Sequence, residues 1–148
     1  MTWGRRKFDK GNRHCFPDFL TMQAKLTAGY LQYVAETSTP ENPTFVAPCG
    51  LVFQTIYQDL IEEGLDPTEA GSLFFGLFGK DGHHPSLAGS YTSAVTIYAT
   101  LTGLDARQME WVPEGLDSEI AGKLRDAVSR TIDETASTGL IRYPWQLM

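Results

Sequence analysis

The stretch "KDGHHPSLAGSY", residues 80–91, contains residue types that can transfer protons. Asp81 and His84 stand three residues apart, a spacing that places two side chains on the same side of a turn or of a first helical turn. A carboxylate in that position can accept a hydrogen bond from the imidazole Nδ1–H, which leaves Nε2 as a proton acceptor. We therefore interpret Asp81 and His84 as a candidate general-base pair, in which the aspartate orients the histidine.

Two other interpretations of these residues have to be weighed. Asp81-Gly82 can be a plain surface turn, with His84 as an ordinary residue at the start of a helix. A metal site would need His83 as well, but adjacent residues on a helix point about 100° apart and rarely bind one ion. With no third ligand at a suitable spacing, the sequence predicts no metal site. His83 is then expected at the rim of a pocket or in solvent.

Composition and charge restrict the class of protein. The chain has 148 residues, of which 42% are hydrophobic and 20% charged, as in one ordinary globular domain. Its net charge is −6, yet residues 5–14, "RRKFDKGNRH", carry five Lys/Arg and one acid, or +4, so the remaining residues carry −10. The negative charge of these remaining residues argues against nucleic acid as a partner, because binding to phosphates needs a broad basic face.

Other sequence signals add little about location. No window approaches 18 uninterrupted apolar residues, so we expect no membrane span. The segment "MTWGRRKFDK" lacks the apolar centre of a secretory signal, but the compartment stays open if Met1 is not the start of the protein. Cys15 and Cys49 leave two alternatives, one disulfide or two separate thiols.

Four segments have the apolar spacing of amphipathic helices. They are Phe19–Ala35, Leu51–Glu63, Ser86–Thr102 and a last helix that begins after Asp117. In the third of these, we expect one side to pack inward, formed by Leu87, Tyr91, Ala94, Val95, Tyr98 and Leu101. The aromatic tail "LIRYPWQLM" is expected to pack down onto the helices.

Two apolar runs suggest strands. "TFVAP" (44–48) has the composition of a buried strand in a parallel sheet, and residues 73–78 are expected to form a short strand or irregular buried chain. The alternation of strands and helices predicts an α/β fold. Because one convincing strand cannot form a sheet, the sequence reads as part of a larger domain.

The block "DGHHPSLAGSYTSAVTIYATLTG" (81–103) resembles the last conserved block of the SGNH (GDSL-type) hydrolases, in which D-x-x-H-P-S leads into a helix. The segments "MTWGRR", "TMQAKLTAGY" and "VAPCGLVFQ" are similar to preceding segments of that family. The resemblance implies a three-layer α/β/α sandwich, with His84 as the general base and Asp81 as its orienting acid. It also places Trp3 after a strand that faces the active site, where Trp3 would line the pocket; ordinary packing of Trp3 is the alternative. Trp3 and His83 are the candidate substrate-binding residues.

The chain departs from the family at the nucleophile. It contains no G-D-S motif and no G-x-S-x-G elbow, and we assign no nucleophilic role to Ser86, Ser90 or Ser93. We therefore expect a single domain over residues 1–148 that forms the C-terminal portion of an SGNH-type serine esterase or carbohydrate deacylase. On its own it would be inactive.

The expected substrate is a small-molecule or carbohydrate ester, and no cofactor is implied. The alternative function is a non-catalytic interaction or scaffold protein derived from the same fold. If strand edges and core faces have lost their neighbours, the isolated chain should associate with itself.

Overall fold

The computed structural model describes Phe16 and residues 18–147. Helices make up 61% of these residues, and no strand or sheet is found among them. The helices are α1 (Phe19–Thr37), α2 (Cys49–Glu62), α3 (Leu73–Gly76), α4 (Leu87–Thr102) and α5 (Ser118–Ser137), with single 3-10 turns at Ala106–Gln108 and Pro144–Leu147. The predicted α/β sandwich is therefore wrong for the described part of the chain, which is all-α.

The four predicted long helices are confirmed, because their start signals are local. Asp18 accepts a hydrogen bond from the amide of Thr21 at 2.7 Å and begins α1. Asp117 caps α5 in the same way through the amide of Ile120 at 3.0 Å. The hydroxyl of Ser86 accepts from the amide of Gly89 at 3.2 Å and begins α4.

Neither predicted strand forms. Residues 44–48 are irregular, since the described part of the chain contains no neighbouring strand that could pair with them. Residues 73–76 form α3, which begins where the hydroxyl of Ser72 accepts from the amide of Phe75 at 3.0 Å. An apolar run of this length is compatible with either structure, and a side-chain cap favours the helix.

Helix α2 lies at the centre of the fold and contacts α1, α3, α4 and α5. Val52, Phe53 and Ile56 on α2 are completely or almost completely buried. The aromatic tail packs into the same core, as predicted, because Tyr143 is buried and its hydroxyl lies 2.6 Å from that of Thr135.

Helix α4 buries only part of the predicted face. Tyr91 and Val95 are buried as expected, but Leu87, Tyr98 and Leu101 are exposed, and Thr92 and Thr96 are completely buried. The two threonines donate to backbone carbonyls one turn earlier, Thr92 to Ala88 at 2.8 Å and Thr96 to Thr92 at 2.7 Å. A hydroxyl that is satisfied within its own helix can be buried at little cost, so polarity alone does not reveal the inner face.

Of the two expected causes of self-association, the described residues retain exposed apolar side chains but not exposed strand edges. Because the described residues include no strand, no sheet edge is exposed there. Exposed apolar side chains nevertheless exist, among them Leu101 and Trp111, which are 64% and 65% exposed. None of the helices described is both long enough and apolar enough to span a membrane.

Cys49 is expected to be chemically inert in the folded chain. It is fully buried at the start of α2, its Sγ lies 3.7 Å from the Ser93 carbonyl oxygen, and burial raises the pKa of its thiol from 9.0 to about 11. The higher pKa reduces the fraction of Cys49 present as thiolate about 100-fold at neutral pH.

In a Cys15→Ser background, an aromatic disulfide reagent should therefore label Cys49 at least ~100-fold more slowly in buffer than in urea. Equal rates in the two solvents would contradict the buried position. Cys49 is a free cysteine in the structure, which favours two separate thiols over the disulfide, and Cys15 lies outside the described residues.

Candidate functional site

The loop between α3 and α4 is closed by backbone hydrogen bonds. The amide of Gly79 donates to the carbonyl of His84 at 2.7 Å, and the amide of Ser86 donates to the carbonyl of Leu77 at 2.9 Å. These bonds pair Phe78 with Pro85 in an isolated antiparallel bridge. The intervening residues are therefore held as a compact turn.

Ser86 anchors this turn to both flanking helices. Its hydroxyl donates to the carbonyl oxygen of Gly76 at 2.6 Å, at the end of α3, and accepts from the amide of Gly89 in α4. Such a hydroxyl is already used as donor and acceptor, which agrees with its assignment as a helix-capping residue. It holds the site in place and makes no bond to either histidine.

Asp81 organises the turn around its carboxylate. Oδ1 accepts from the amides of His83 and His84, both at 3.0 Å, and Oδ2 lies 2.6 Å from Nδ1 of His84. The turn requires Gly82 at a φ of +75°, which glycine adopts without strain. The amide of His83, followed by the ring and the amide of His84, holds the pKa of the Asp81 carboxyl well below its usual range.

The predicted contact between Asp81 and His84 is confirmed, and His84 does lie just before the helix. Its side chain is 74% exposed. Within the described residues its Nε2 makes no hydrogen bond, and its ring is held through Nδ1 alone. The imidazole is thus oriented on one side and open to solvent on the other.

His83 is partly exposed and lies on the turn before α4, whereas the prediction of no metal site assumed that the two histidines lie on a helix. Its Nε2 lies 3.8 Å from Oδ2 of Asp81, and its ring centroid is 5.0 Å from that of His84. One donor atom from each of the three side chains lies within 4.8 Å of the others. The Asp81–His83–His84 cluster is a feature that helical spacing could not reveal.

The serines of the described region do not complete a catalytic triad. Ser86 caps α4, Ser93 is buried in that helix and Ser90 is exposed on it; none has a hydrogen bond to His84. Trp3, predicted to contact the substrate, lies outside the described residues. The structure therefore brings together the aspartate and both histidines of the predicted set.

The larger grooves lie away from this cluster. A groove of about 970 Å³ runs between α2, α3 and α5, and another of about 650 Å³ lies between α1, the loop after it and the C-terminal tail. Asp81, His83 and His84 line neither of them. The Asp81–His84 pair therefore lies on an open surface, whereas substrate sites are usually concave.

A charged network that joins α5 to α2 and to the 3-10 turn at Ala106–Gln108 was not predicted, and its role is structural. Arg130 bonds to Asp59 of α2 and to Asp126, and Arg107 bonds to Asp105 at 2.9 Å. The guanidinium of Arg107, with the hydroxyl of Ser129, lowers the pKa of Asp105 to about 2. Each charge here has a partner of opposite sign, so the network ties elements together and presents no unpaired group for catalysis.

Comparison with known proteins does not extend this description. No family model, curated protein or solved structure matches the chain. The resemblance to the SGNH hydrolases consequently depends on the quoted residues, above all on the D-x-x-H-P-S block that forms the turn.

Proposed function

We propose that Asp81 and His84 form the proton-transfer pair of a hydrolase that acts on ester bonds, with a hydroxyl nucleophile supplied from outside the described residues. The observation that carries this proposal is the 2.6 Å contact between Asp81 Oδ2 and His84 Nδ1, in an imidazole whose Nε2 makes no bond within the described chain. The proposal concerns the pair and its reaction, and it does not include the three-layer sandwich.

The geometry suits general-base catalysis. With Nδ1–H donated to Asp81, the lone pair of Nε2 can accept the proton of a hydroxyl as its oxygen attacks an ester carbonyl. The imidazolium that forms is stabilised by the carboxylate, which its amide donors keep ionised. The same Nε2–H then protonates the departing alcohol oxygen, which restores the neutral ring.

The sequence motif supports the choice of ester hydrolysis among the reactions that use such a pair. D-x-x-H-P-S resembles the SGNH block in which the histidine activates a serine, and the family acts on small-molecule and carbohydrate esters. The pair lies on an open surface, so the proposed hydrolase needs residues outside the described part of the chain to complete a substrate pocket around it.

The proposal predicts that the 148-residue chain has no esterase turnover above the uncatalysed rate, because proton transfer alone lacks both a nucleophile and an oxyanion hole. The test compares this chain with one extended by any residues encoded in frame before Met1, using an unactivated short-chain ester and an acetylated sugar. We expect turnover in the extended chain alone, reduced about 10²–10⁴-fold by His84→Ala.

Asp81→Asn should also lower that turnover, since the amide keeps the bonds to the backbone but not the negative charge. Asp66→Asn is the matched control, because Asp66 Oδ1 accepts from the amide of Thr68 at 2.8 Å in a turn that holds no histidine. Full activity in the His84→Ala variant would overturn the role of the pair. Turnover by the 148-residue chain that His84→Ala abolishes would show that the nucleophile lies within it.

A non-catalytic interaction protein is the second candidate function. The exposed apolar side chains of α4, Leu87, Tyr98 and Leu101, favour it, because such groups along one helix suit a protein contact. An extended chain that folds but turns over neither ester would favour this function over the hydrolase.

A further inference from the structure

We propose that the Asp81–His83–His84 cluster binds a Zn²⁺ ion through Asp81 Oδ2, His83 Nε2 and His84 Nδ1. This inference goes beyond ester hydrolysis, and it concerns binding that can be measured without any substrate. It is founded on the convergence of one carboxylate oxygen and two imidazole nitrogens on a single turn.

The distances are close to those of a tetrahedral zinc site. Ligand bonds of about 2.0–2.2 Å at tetrahedral angles place donor atoms about 3.3 Å apart. Here Asp81 Oδ2 lies 2.6 Å from His84 Nδ1 and 3.8 Å from His83 Nε2. The first of these contacts has to open and the second to close by less than an ångström each, and the donor atoms of the two histidines, which lie within 4.8 Å of each other, have to come closer as well.

The backbone around the donors is already ordered. Asp81 Oδ1 is held by two amides, and the bonds from Gly79 to His84 and from Ser86 to Leu77 close the loop. A ligating carboxylate whose second oxygen is hydrogen-bonded is typical of metal centres, where such bonds orient the ligand. Little conformational freedom of the main chain is left to be lost when the ion binds.

The donor set selects the ion. Imidazole nitrogens suit zinc and neighbouring transition metals, whereas Mg²⁺ and Ca²⁺ prefer oxygen ligands alone. The side chains of Asp81 and His83 are 43% and 32% exposed, so water can take the remaining position of the ion.

Zinc binding and proton transfer exclude each other, a consequence that depends on the proposed function. When Nδ1 of His84 donates its lone pair to the ion, the ring proton resides on Nε2, exchanged through solvent. Nε2 then has no lone pair for a hydroxyl proton, and Asp81 Oδ2 is occupied by the metal. Zinc would therefore inhibit the proposed hydrolase by removing its base.

The test is calorimetric titration of the whole chain with ZnCl₂, after removal of any polyhistidine tag. We expect one saturable site, no heat with MgCl₂, and a tetrahedral visible spectrum when Co²⁺ replaces zinc. His83→Ala, His84→Ala and Asp81→Asn should each weaken Zn²⁺ binding at least about tenfold. Circular dichroism confirms that the variants stay folded, and Asp81→Asn retains the acceptor for both backbone amides.

His14→Ala and Asp66→Asn are the matched controls, since they remove the remaining histidine and an aspartate of similar turn geometry. Both should bind zinc as the parent does. Three results would overturn the site: no saturation at millimolar zinc, parental affinity in any of the three ligand variants, or loss of binding in the His14 variant. These readouts need no substrate, so failure of the hydrolase proposal leaves them interpretable.

Discussion

Replacing Gly89 with alanine is expected to destabilise the folded chain by about 3 kcal/mol, since overpacking against fixed atoms costs about 1–3 kcal/mol and occasionally more. A Cβ at this position would lie 2.1 Å from the carbonyl oxygen of Leu77 and 3.2 Å from Cβ of Pro85. That carbonyl accepts the bond from Ser86 that closes the loop. Helix α4 cannot accommodate the methyl group without moving away from the Asp81–His84 turn.

Urea unfolding followed by circular dichroism measures this effect. Gly122→Ala is the matched control, because Gly122 lies within α5 and a Cβ there meets nothing within 4 Å. Alanine at that helical position should leave stability unchanged or raise it by up to about 1 kcal/mol. A Gly89→Ala variant as stable as the parent would show that α4 does not approach Leu77 in this way.

Truncating Phe74 to alanine is expected to lower the free energy of unfolding by about 3–5 kcal/mol, the usual effect of removing a buried phenylalanine side chain. Its side chain is completely buried, with ring centroids 4.7 Å from Phe19, 5.0 Å from Tyr57 and 5.2 Å from Phe78. Helix α3 has four residues and little stability of its own, so this ring is its main attachment to α1 and α2.

Phe75 provides the matched control for this truncation. It is the next residue in the same helix but is only partly buried, so Phe75→Ala should cost clearly less than Phe74→Ala in the same unfolding assay. Equal losses in the two variants would contradict the orientation of α3. Because α3 precedes the loop that carries the Asp81–His84 pair, the comparison also tests the support of the proposed site.

The long helices and the Asp81–His84 contact could be predicted because they depend on neighbours in sequence. Asp18, Ser86 and Asp117 cap their helices through amides two or three residues away. The aspartate and His84 are likewise three residues apart, and the intervening Gly82 permits the turn. Contacts between residues three apart are set by the local backbone geometry, so they do not depend on how the rest of the chain folds.

The predicted sheet failed because a strand depends on a partner elsewhere in the chain. The run 44–48 has a strand composition but no neighbour to pair with among the described residues. The packing of helix α4 shows the same limit. Side-chain polarity predicted that Tyr98 and Leu101 face inward, but both are exposed. Thr92 and Thr96 are buried instead, because their hydroxyls donate to carbonyls of their own helix.

By itself the sequence determined where the helices begin and that Asp81 can orient His84, since both follow from contacts within one turn. Only the tertiary structure decided that His83 joins them. The bond from Ser86 to Leu77 holds the residues before α4 in a turn and not in a helix, which lets both imidazoles approach one carboxylate oxygen. That arrangement depends on the hydrogen bonds that join the end of α3 to the residues before α4, and spacing along the chain does not encode it.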